Sequence, residues 1–424
     1  MILRGSFTQA DERHYSHVPF LVPDGVRAIT IAYDYSDRIP SDPLVLGGNT
    51  LDIGLFDSRG AYRGWSGSHK LQFTVSDTWA TPAYVAGPVH AGTWRLLLGP
   101  YKVGPHGCEY EVSITFSDDP GEPPPGGPTR INVPPASLDP PAEEGWLRGD
   151  LHCHTVYSDG DSWPADMLAE AVTRGLDFLG VTDHNQTGHQ ADYLSITGQA
   201  LPLILPGIEV TTYGGHWNAW GTDRWWDFLT PTTEAVDSAM HAAIASGAVV
   251  SVNHPKPHGP GWEYSNATGF HTVEVWNGHW HEHNDVSLHW WDTLLRQGRR
   301  VFAVGGSDTH HLKGTPHDRL GHPTTWAQAD RALPSVLAAL REGRTFISRD
   351  VDGPQLYLSR ERLRVVGASG ATLLVLSANG IESTRTIRSD DETLRVHTGA
   401  RYLRAELRDP RNEMLALTNA VFTS

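Results

Sequence analysis

The sequence predicts an α/β protein in which a central run of strand–helix units is flanked by two β-rich segments. Three observations lead to this prediction. Short alternating apolar runs fill the first 118 residues, a proline-rich stretch follows, and strand and helix signals then alternate regularly. Short strands return near the end of the chain. The predicted domains are 1–118, 146–352 and 353–424, and the predicted linker is 119–145.

The length and charge of the chain restrict its class. At 424 residues it is too long for one small core. Its net charge of −16, with no run of lysine and arginine, argues against non-specific binding to nucleic acid. Cys108 and Cys153 are far apart, which argues against a disulfide framework. Because the sequence has no apolar signal core and no long apolar run, we expect a cytoplasmic protein without a membrane partner; its oligomeric state is not predicted.

The first 118 residues are predicted to form an antiparallel β-sandwich. Apolar and polar residues alternate at 26–33 and 110–116, and turn residues separate such runs. No catalytic constellation is apparent here, and we expect Tyr62 and Trp65 to pack against turns. The dense prolines that follow, from 119 to 145, disfavour both helix and central strand, which indicates an extended linker.

The central segment is predicted to consist of βα units with parallel strands and right-handed crossovers. Its clearest helices are expected at 164–174, 233–246 and about 286–297, each followed closely by glycine. In βα barrels, chemistry is located at the carboxyl ends of the strands. Strand after strand in this segment leads into His, Asp or Glu. The terminal segment, in contrast, has no such ligand-rich strand ends, and we expect it to be a small β module with a structural role.

Histidine is unusually concentrated in the central segment. Of 23 histidines, 17 fall between His152 and His322. In a strand, His152 and His154 would point to the same face and Cys153 to the other. Solvent-exposed histidines need no such clustering, whereas a divalent metal site requires several imidazoles aimed at one point.

Nine potential metal ligands lie at or near the predicted strand ends. They contain nitrogen and oxygen donors but no thiolate, which suits zinc, manganese or iron(II). Nine donors exceed the needs of one ion, so two or three ions sharing a carboxylate are expected. The alternative, that each is an unrelated core or surface residue, is much less probable for so many successive strand ends. The nine are His152, His154, Asp159, His184, Glu209, His216, His254, Asp308 and His310.

Five motifs around these ligands resemble the polymerase and histidinol phosphatase (PHP) family of metallohydrolases. They are His-x-His-Thr-x-Tyr-Ser-Asp-Gly at 152–160, Thr-Asp-His-Asn at 182–185, Pro-Gly-x-Glu at 206–209, Asn-His-Pro at 253–255 and Gly-Ser-Asp-x-His at 306–310. The Gly-His-x-Asn element at 215–218 and the flanking β modules resemble its carbaryl-hydrolase-like branch. The resemblance covers about residues 146–350. It implies a distorted seven-stranded βα barrel, (β/α)7, with a site for up to three metals.

The resemblance also implies how the ligands divide among the ions. The first ion would be held by His152, His154, Glu209 and Asp308, the second by Glu209, His216 and His254, and the third by Asp159, His184 and His310. A hydroxide bridging two ions is then the expected nucleophile, because metal-bound water has a strongly lowered pKa. No separate general base is needed.

The leading functional hypothesis is a phosphoesterase that acts on a small anionic substrate, a phosphorylated metabolite or nucleotide. The candidate substrate contacts, each equally consistent with an ordinary surface residue, are Arg319, Lys256, His311, His322 and Asn277. A second hypothesis is a metal-dependent carboxyl-ester or carbamate hydrolase. A site with few cations and many tryptophans would favour it, the tryptophans being Trp217, Trp220, Trp262 and Trp276. A third is a non-catalytic binding protein with a degenerate barrel, against which the complete ligand set argues.

Overall fold

The structure is a computed structural model that describes residues 1–42, 44–257, 261–312, 319–397 and 399–423, and it shows a mixed α/β protein. Eight strands precede residue 118 and form two antiparallel four-stranded sheets, ordered β1-β8-β3-β6 and β2-β7-β4-β5. The strands are β1 (Ile2–Phe7), β2 (Ser16–Val22), β3 (Ala28–Tyr35), β4 (Thr50–Phe56), β5 (Tyr62–Ser66), β6 (Gln72–Ser76), β7 (Gly92–Lys102) and β8 (Cys108–Ser117).

The two sheets enclose a common apolar core. Ile29 and Ile31 of β3 are fully buried and belong to the same cluster as Ile53 of β4 and Leu96 of β7, which lie in the other sheet. Alternation along β3 directs its apolar side chains inward. The face-to-face arrangement of these sheets is the one expected of a sandwich. We refer to residues 1–118 as the sandwich segment.

The proline-rich stretch contains no helix and none of the named strands, and it follows the surface of the central segment. The backbone N–H of Ile131 donates to the Thr197 carbonyl at 3.0 Å, and that of Ala136 donates to the Val172 carbonyl at 3.1 Å. Proline-rich chain cannot contribute regular sheet hydrogen bonds, so isolated contacts of this kind hold it in place.

The described residues of the central segment form nine strands and five helices. No described helix has the length and apolarity needed to cross a membrane. The strands are β9 (Trp146–Asp150), β10 (Phe178–Val181), β11 (Leu203–Thr212), β12 (Gly215–Trp220), β13 (Val249–Val252), β14 (Thr272–Asn277), β15 (Phe302–Gly306), β16 (Thr324–Gln328) and β17 (Thr345–Ser348). The helices are α1 (Pro164–Arg174), α2 (His189–Ser195), α3 (Thr233–Ala245), α4 (Asn284–Arg296) and α5 (Leu333–Glu342).

The strands are not uniformly parallel, and the prediction of an uninterrupted run of parallel βα units is wrong in this respect. Strands β9, β10 and β11 are parallel, as are β13, β14 and β15. Strand β12 is antiparallel to both of its neighbours, and β16 is antiparallel to β9 and β17. The cause at β12 is a tight hairpin after Thr212, where Gly215 has a φ of 135° that suits glycine.

The terminal segment extends the central sheet. Strand β24 pairs with β17, and the sheet continues through β23, β20 and β21, while β18, β19 and β22 form a separate sheet. The strands are β18 (Gln355–Leu358), β19 (Arg362–Val366), β20 (Thr372–Ser377), β21 (Gly380–Thr386), β22 (Asp391–Arg395), β23 (Tyr402–Arg408), β24 (Met414–Thr418) and β25 (Val421–Phe422). The domain boundaries themselves remain predictions.

Closure of the central sheet into a barrel also remains a prediction. Within the described ranges, no backbone ladder joins β15 to β16. The Thr325 hydroxyl of β16 instead accepts from the Gly305 N–H at 2.8 Å and donates to the Gly305 carbonyl at 2.7 Å.

A side chain from the terminal segment completes the other hydrogen bonds of β15. Asn419 is buried and its Oδ1 accepts from the Ala303 N–H at 2.6 Å, while its Nδ2 donates to the Ala303 carbonyl at 2.9 Å and to Thr345 Oγ1 at 2.6 Å. Asn419 therefore substitutes for a neighbouring strand between β15 and β17.

We predict that Asn419→Ala lowers the free energy of unfolding by about 2–4 kcal/mol, because it leaves the buried Ala303 N–H and carbonyl unpaired. Chemical denaturation followed by tryptophan fluorescence measures the change. The matched control is Asn266→Ala, at an exposed position, which should leave the transition unchanged. Identical transitions for the two variants would contradict this role for Asn419.

Candidate metal centre

The structure brings all nine predicted ligands together at one end of the central sheet. Four overlapping groups of side chains each have donor atoms within 4.8 Å of one another. The groups are His154, Asp159, His184 and His310; His152, His154 and Glu209; His152, His254 and Asp308; and His184, Glu209 and His216. These groups share members and do not reproduce the predicted division among three ions, which remains a prediction.

His152 and His154 lie just beyond β9, in extended chain that pairs with the segment after β15. The Asp308 N–H donates to the His152 carbonyl at 2.9 Å, and the His154 N–H donates to the Thr309 carbonyl at 3.0 Å. The extended backbone keeps the two imidazoles on one side, with ring centroids 5.1 Å apart. Cys153 lies on the other side, in the apolar cluster around α1. The pairing also brings Asp308 beside both histidines.

Glu209 lies at the centre of the cluster because β11 continues past it into the hairpin with β12. Its Oε1 is 3.3 Å from His152 Nε2, 3.2 Å from His216 Nδ1 and 3.3 Å from His254 Nε2. Its Oε2 is 2.7 Å from His184 Nδ1 and 3.5 Å from His154 Nε2. One carboxylate thus faces five imidazoles, as expected of a ligand shared between ions.

The two aspartates occupy either side of His154 and His310. Asp308 Oδ1 is 3.0 Å from His154 Nε2 and 3.3 Å from His152 Nε2. Asp159 Oδ1 is 3.4 Å from His184 Nε2 and 3.3 Å from His310 Nε2. The rings of His154 and His310 stack at 4.1 Å, which places the two carboxylates around one group of imidazoles.

Among the described residues, several donor atoms of this cluster are buried without a well-aligned hydrogen bond, although charged atoms lie 3.0–3.5 Å from them. They include His152 Nε2, His154 Nε2, Glu209 Oε2, Asp159 Oδ1 and Asp308 Oδ1. Leaving such atoms unpaired costs about 1–3 kcal/mol each, more for charged groups. Divalent cations would satisfy these nitrogen and oxygen atoms together, so the residues present fit a metal site.

The cluster also controls the charge of its members. Burial raises the pKa of Glu209, but His152 and His216 outweigh this effect and hold it well below its usual range. Burial, together with the neighbouring His310 and His184, lowers the pKa of His154 to about 4. Near neutral pH the Glu209 carboxylate is therefore ionised and the His154 imidazole is neutral, which are the forms that bind metals. Despite burial, neighbouring carboxylates raise the pKa of His152, His184 and His310, so these imidazoles would release protons when ions bind.

Backbone strain accompanies the ligands. Asp308 has a φ of 53° and His254 a φ of 26°, backbone angles that residues other than glycine rarely adopt. Such conformations cost about 1–3 kcal/mol each and concentrate at functional sites.

Three buried polar residues orient the ligands, and Glu274 is one that sequence reasoning missed. Glu274 Oε1 is 2.9 Å from His152 Nδ1, and its Oε2 accepts from the His254 N–H at 3.0 Å. Asn253 donates to Glu209 at 2.8 Å, and Asn277 donates to Asp308 at 3.1 Å. The available signal was an acidic residue within the otherwise apolar strand β14.

The predicted substrate contacts have different surroundings. Lys256 is buried and its Nζ donates to the Asn277 carbonyl at 2.9 Å, and burial lowers its pKa. His322 Nδ1 is 3.3 Å from Asp350, and His311 is exposed, 3.7 Å from Asp161. Arg319 is exposed, next to undescribed residues. A role of any of these in substrate binding remains a prediction.

A cavity of about 390 Å³ adjoins the metal centre. Asp159, His184 and His216 line one side of it. The sandwich segment lines the other side, with residues that include Asp52 and Trp65. The sequence indicated no site residue in this segment, and Trp65 was expected only to pack. Asp52, a carboxylate within an apolar strand, was the available signal.

Comparison with known proteins gives short or distant similarities, and no family model matches the chain. The 5′-3′ exoribonuclease Rnm of Escherichia coli strain K12 is 41% identical over 66 residues, 15% of this chain and 22% of that protein. The same enzyme of Salmonella typhimurium strain LT2 is 39% identical over 66 residues, with the same coverage. The chain thus spans about a fifth of the length of the curated relatives it matches.

Among solved structures, similarity is found to a Bacteroides vulgatus two-domain protein described as containing a PHP-like metal-dependent phosphoesterase. It has 20% identity and a TM-score of 0.42, covering 69% of this chain and all of that one. A Bifidobacterium adolescentis protein described as a metal-dependent phosphoesterase has 19% identity and a TM-score of 0.29. The match covers 43% of this chain and 92% of that one. An amidohydrolase from Chromobacterium violaceum has 18% identity and a TM-score of 0.30, and the match covers 42% of this chain and 90% of that one. With TM-scores below 0.5, these similarities do not establish a shared fold.

We predict that Glu274→Gln weakens zinc binding about 10- to 100-fold, because it removes the carboxylate that orients and polarises His152. Competition with a fluorescent zinc chelator measures the affinity. Glu234→Gln, an exposed change on α3, is the control and should bind zinc normally. Normal affinity in the Glu274 variant would show that His152 needs no such partner.

Proposed function

We propose that this protein is a metal-dependent hydrolase of the PHP type that holds two or three divalent ions, zinc, manganese or iron(II), and cleaves phosphoric esters of small molecules. The observation that carries the proposal is the convergence of nine nitrogen and oxygen ligands around the Glu209 and Asp308 carboxylates. A hydrolytic rather than purely structural role is supported by the cavity that opens beside three of these ligands.

The residues of the chain prepare the site for ions. Ionised Glu209 and Asp308 supply negative charge, and the neutral imidazole of His154 supplies a lone pair. Glu274 and Asn277 hold His152 and Asp308 in place. Bound divalent ions would supply acidified water and neutralise charge that develops on the ester.

The phosphoester bond is the preferred target because of the five PHP motifs and the short similarity to exoribonucleases. RNA itself is not the substrate we propose. The net charge of −16 provides no general attraction for a nucleic-acid backbone. A cavity of about 390 Å³ has the size for a small ester, whose phosphoryl group would lie at the ions.

A second candidate is a carboxyl-ester or carbamate hydrolase that uses the same ions. The described residues lining the cavity include no lysine or arginine, whereas Trp65, Tyr101 and Tyr213 provide aromatic surface. Such a lining suits an uncharged aromatic ester. This observation agrees with the resemblance to the carbaryl-hydrolase-like branch.

We expect the purified protein to contain two or three divalent ions per chain and to lose hydrolysis when they are removed by a chelator. His254→Ala and Asp308→Ala should lower kcat/KM by more than about 100-fold, beyond the effect usual for residues that only support ligands. The measurements are elemental analysis and parallel assays on aryl phosphates, aryl acetates and aryl carbamates. The more efficient series identifies the bond.

The control is His289→Ala, an exposed histidine on α4, which should retain activity and metal content. A metal-loaded protein that cleaves none of the three ester series would contradict the proposed hydrolase. Full activity after complete metal removal would contradict metal dependence.

A further inference from the structure

The cavity beside the metal centre is built from two segments that are distant in sequence. Asp159, His184 and His216 come from the central segment and also belong to the metal cluster. Asp52, Trp65 and other lining residues come from the sandwich segment. An ester held at the metal cluster would therefore extend its remaining atoms toward the sandwich segment.

Direct hydrogen bonds fix the sandwich segment to the chain around the metal ligands. Lys70 Nζ donates to the carbonyls of Val156 at 3.2 Å and Ser158 at 3.4 Å, immediately before Asp159. Tyr62 donates to the carbonyl of Asn185 at 2.8 Å, immediately after His184. The sandwich residues that line the cavity, which we call the wall, therefore have a defined position relative to the predicted ligands.

Asp52 is the chemically distinctive residue of this wall. It is 6% exposed and lies in β4, where its neighbours in the strand are buried. Its Oδ2 accepts from the Tyr213 hydroxyl at 2.9 Å, and Tyr213 belongs to the hairpin turn that precedes His216. Burial raises the pKa of the Asp52 carboxyl group to about 7. Whether ionised or neutral, this group has oxygen lone pairs beyond the one that Tyr213 uses, so Asp52 retains capacity for a donor on a ligand.

The rest of the lining limits which ligand fits. Asp42 adds a second carboxylate, and the described lining residues provide no lysine or arginine to balance it. Trp65, Tyr101 and Tyr213 are aromatic, and the Trp65 indole nitrogen has no hydrogen-bond partner within the described ranges. A second anion would find two carboxyl groups and no lysine or arginine here, whereas an aromatic ring carrying a donor would find aromatic surface and the Asp52 carboxyl group as an acceptor.

We propose that the sandwich segment is the specificity wall of the enzyme. It binds the uncleaved part of the substrate and selects an aromatic group that bears a hydroxyl or ammonium donor over one that bears a second anion. The inference rests on the proposed hydrolase function and adds the substrate class. Asp52 acts as the hydrogen-bond acceptor for that group, and His69, an exposed residue of the same wall, contributes to it.

The test compares phenyl, 4-(hydroxymethyl)phenyl, 4-(aminomethyl)phenyl and 4-carboxyphenyl esters of the acid that the metal-loaded enzyme hydrolyses best. Relative to alkaline hydrolysis of each ester, we expect kcat/KM to be at least about tenfold higher for the two donor-bearing esters than for the carboxyphenyl ester. Asp52→Asn should remove most of this preference by raising KM for the donor-bearing esters. Metal content should stay that of the wild type, and turnover of the unsubstituted phenyl ester by each variant is the reference for its preference.

Two further variants separate recognition from folding. Asp24→Asn makes the same change at an exposed position of the sandwich segment and should keep the preference. His69→Ala shortens an exposed side chain. It should raise KM for the donor-bearing esters without changing the thermal transition. Equal preference in the wild type and the Asp52 and His69 variants would overturn the inference while leaving the hydrolase intact. Failure of the wild type on every phenyl ester would overturn the proposed function and this inference with it.

Discussion

The carboxylate of Glu209 is buried among five imidazoles, and much of the central segment is arranged to make that position tolerable. A buried charge is costly unless it is paired and hydrogen-bonded. Four strands contribute histidines at this point, because His152 and His154 follow β9, His184 follows β10, His216 lies in β12 and His254 follows β13. Asn253 adds a hydrogen bond at 2.8 Å. The nearby Asp308 forms a second such centre. The imidazoles hold the pKa of both carboxyl groups well below its usual range despite burial.

The antiparallel direction of β12 also serves to place an imidazole beside the buried Glu209 carboxylate. A parallel strand would have returned through a helix and carried its residues away from Glu209. The short hairpin instead places His216 beside Thr211 in register, on the strand next to the one that carries Glu209. The tight turn brings His216 to the Glu209 carboxylate, seven residues earlier in the chain. The glycine at position 215 permits that turn.

The sandwich segment gives the site a second side. Its own core is independent of the metal ligands, yet Lys70 and Tyr62 contact the chain beside Asp159 and His184. A hydrolytic site formed by ions alone would accept many esters, because the ions contact only the reacting group. A wall from another segment can contact the rest of the substrate, and binding there can determine which ester is cleaved.

Local patterns in the sequence were sufficient to predict much of the secondary structure and to select the candidate metal ligands. The helices at α1, α3 and α4 begin and end within two residues of their predicted bounds, because apolar spacing and a following glycine are local signals. The nine predicted ligands, which the structure brings together, were selected because histidine and carboxylate residues follow successive strands. The strand-like course of 152–154 likewise followed from alternation, which places Cys153 away from the site.

Tertiary structure alone decided the rest. The hairpin at 212–215 was not predicted, since Pro206 and Gly207 suggest the end of a strand, and only pairing with β10 and β12 carries β11 through them. Glu274 and Asp52 are acidic residues in apolar strands, and their partners lie 122 and 161 residues away. The sequence determines which donor residues a chain contains, and their spacing determines the face on which neighbouring donors lie. Which distant side chains meet depends on strand order, register and the docking of one segment on another, which no local pattern encodes.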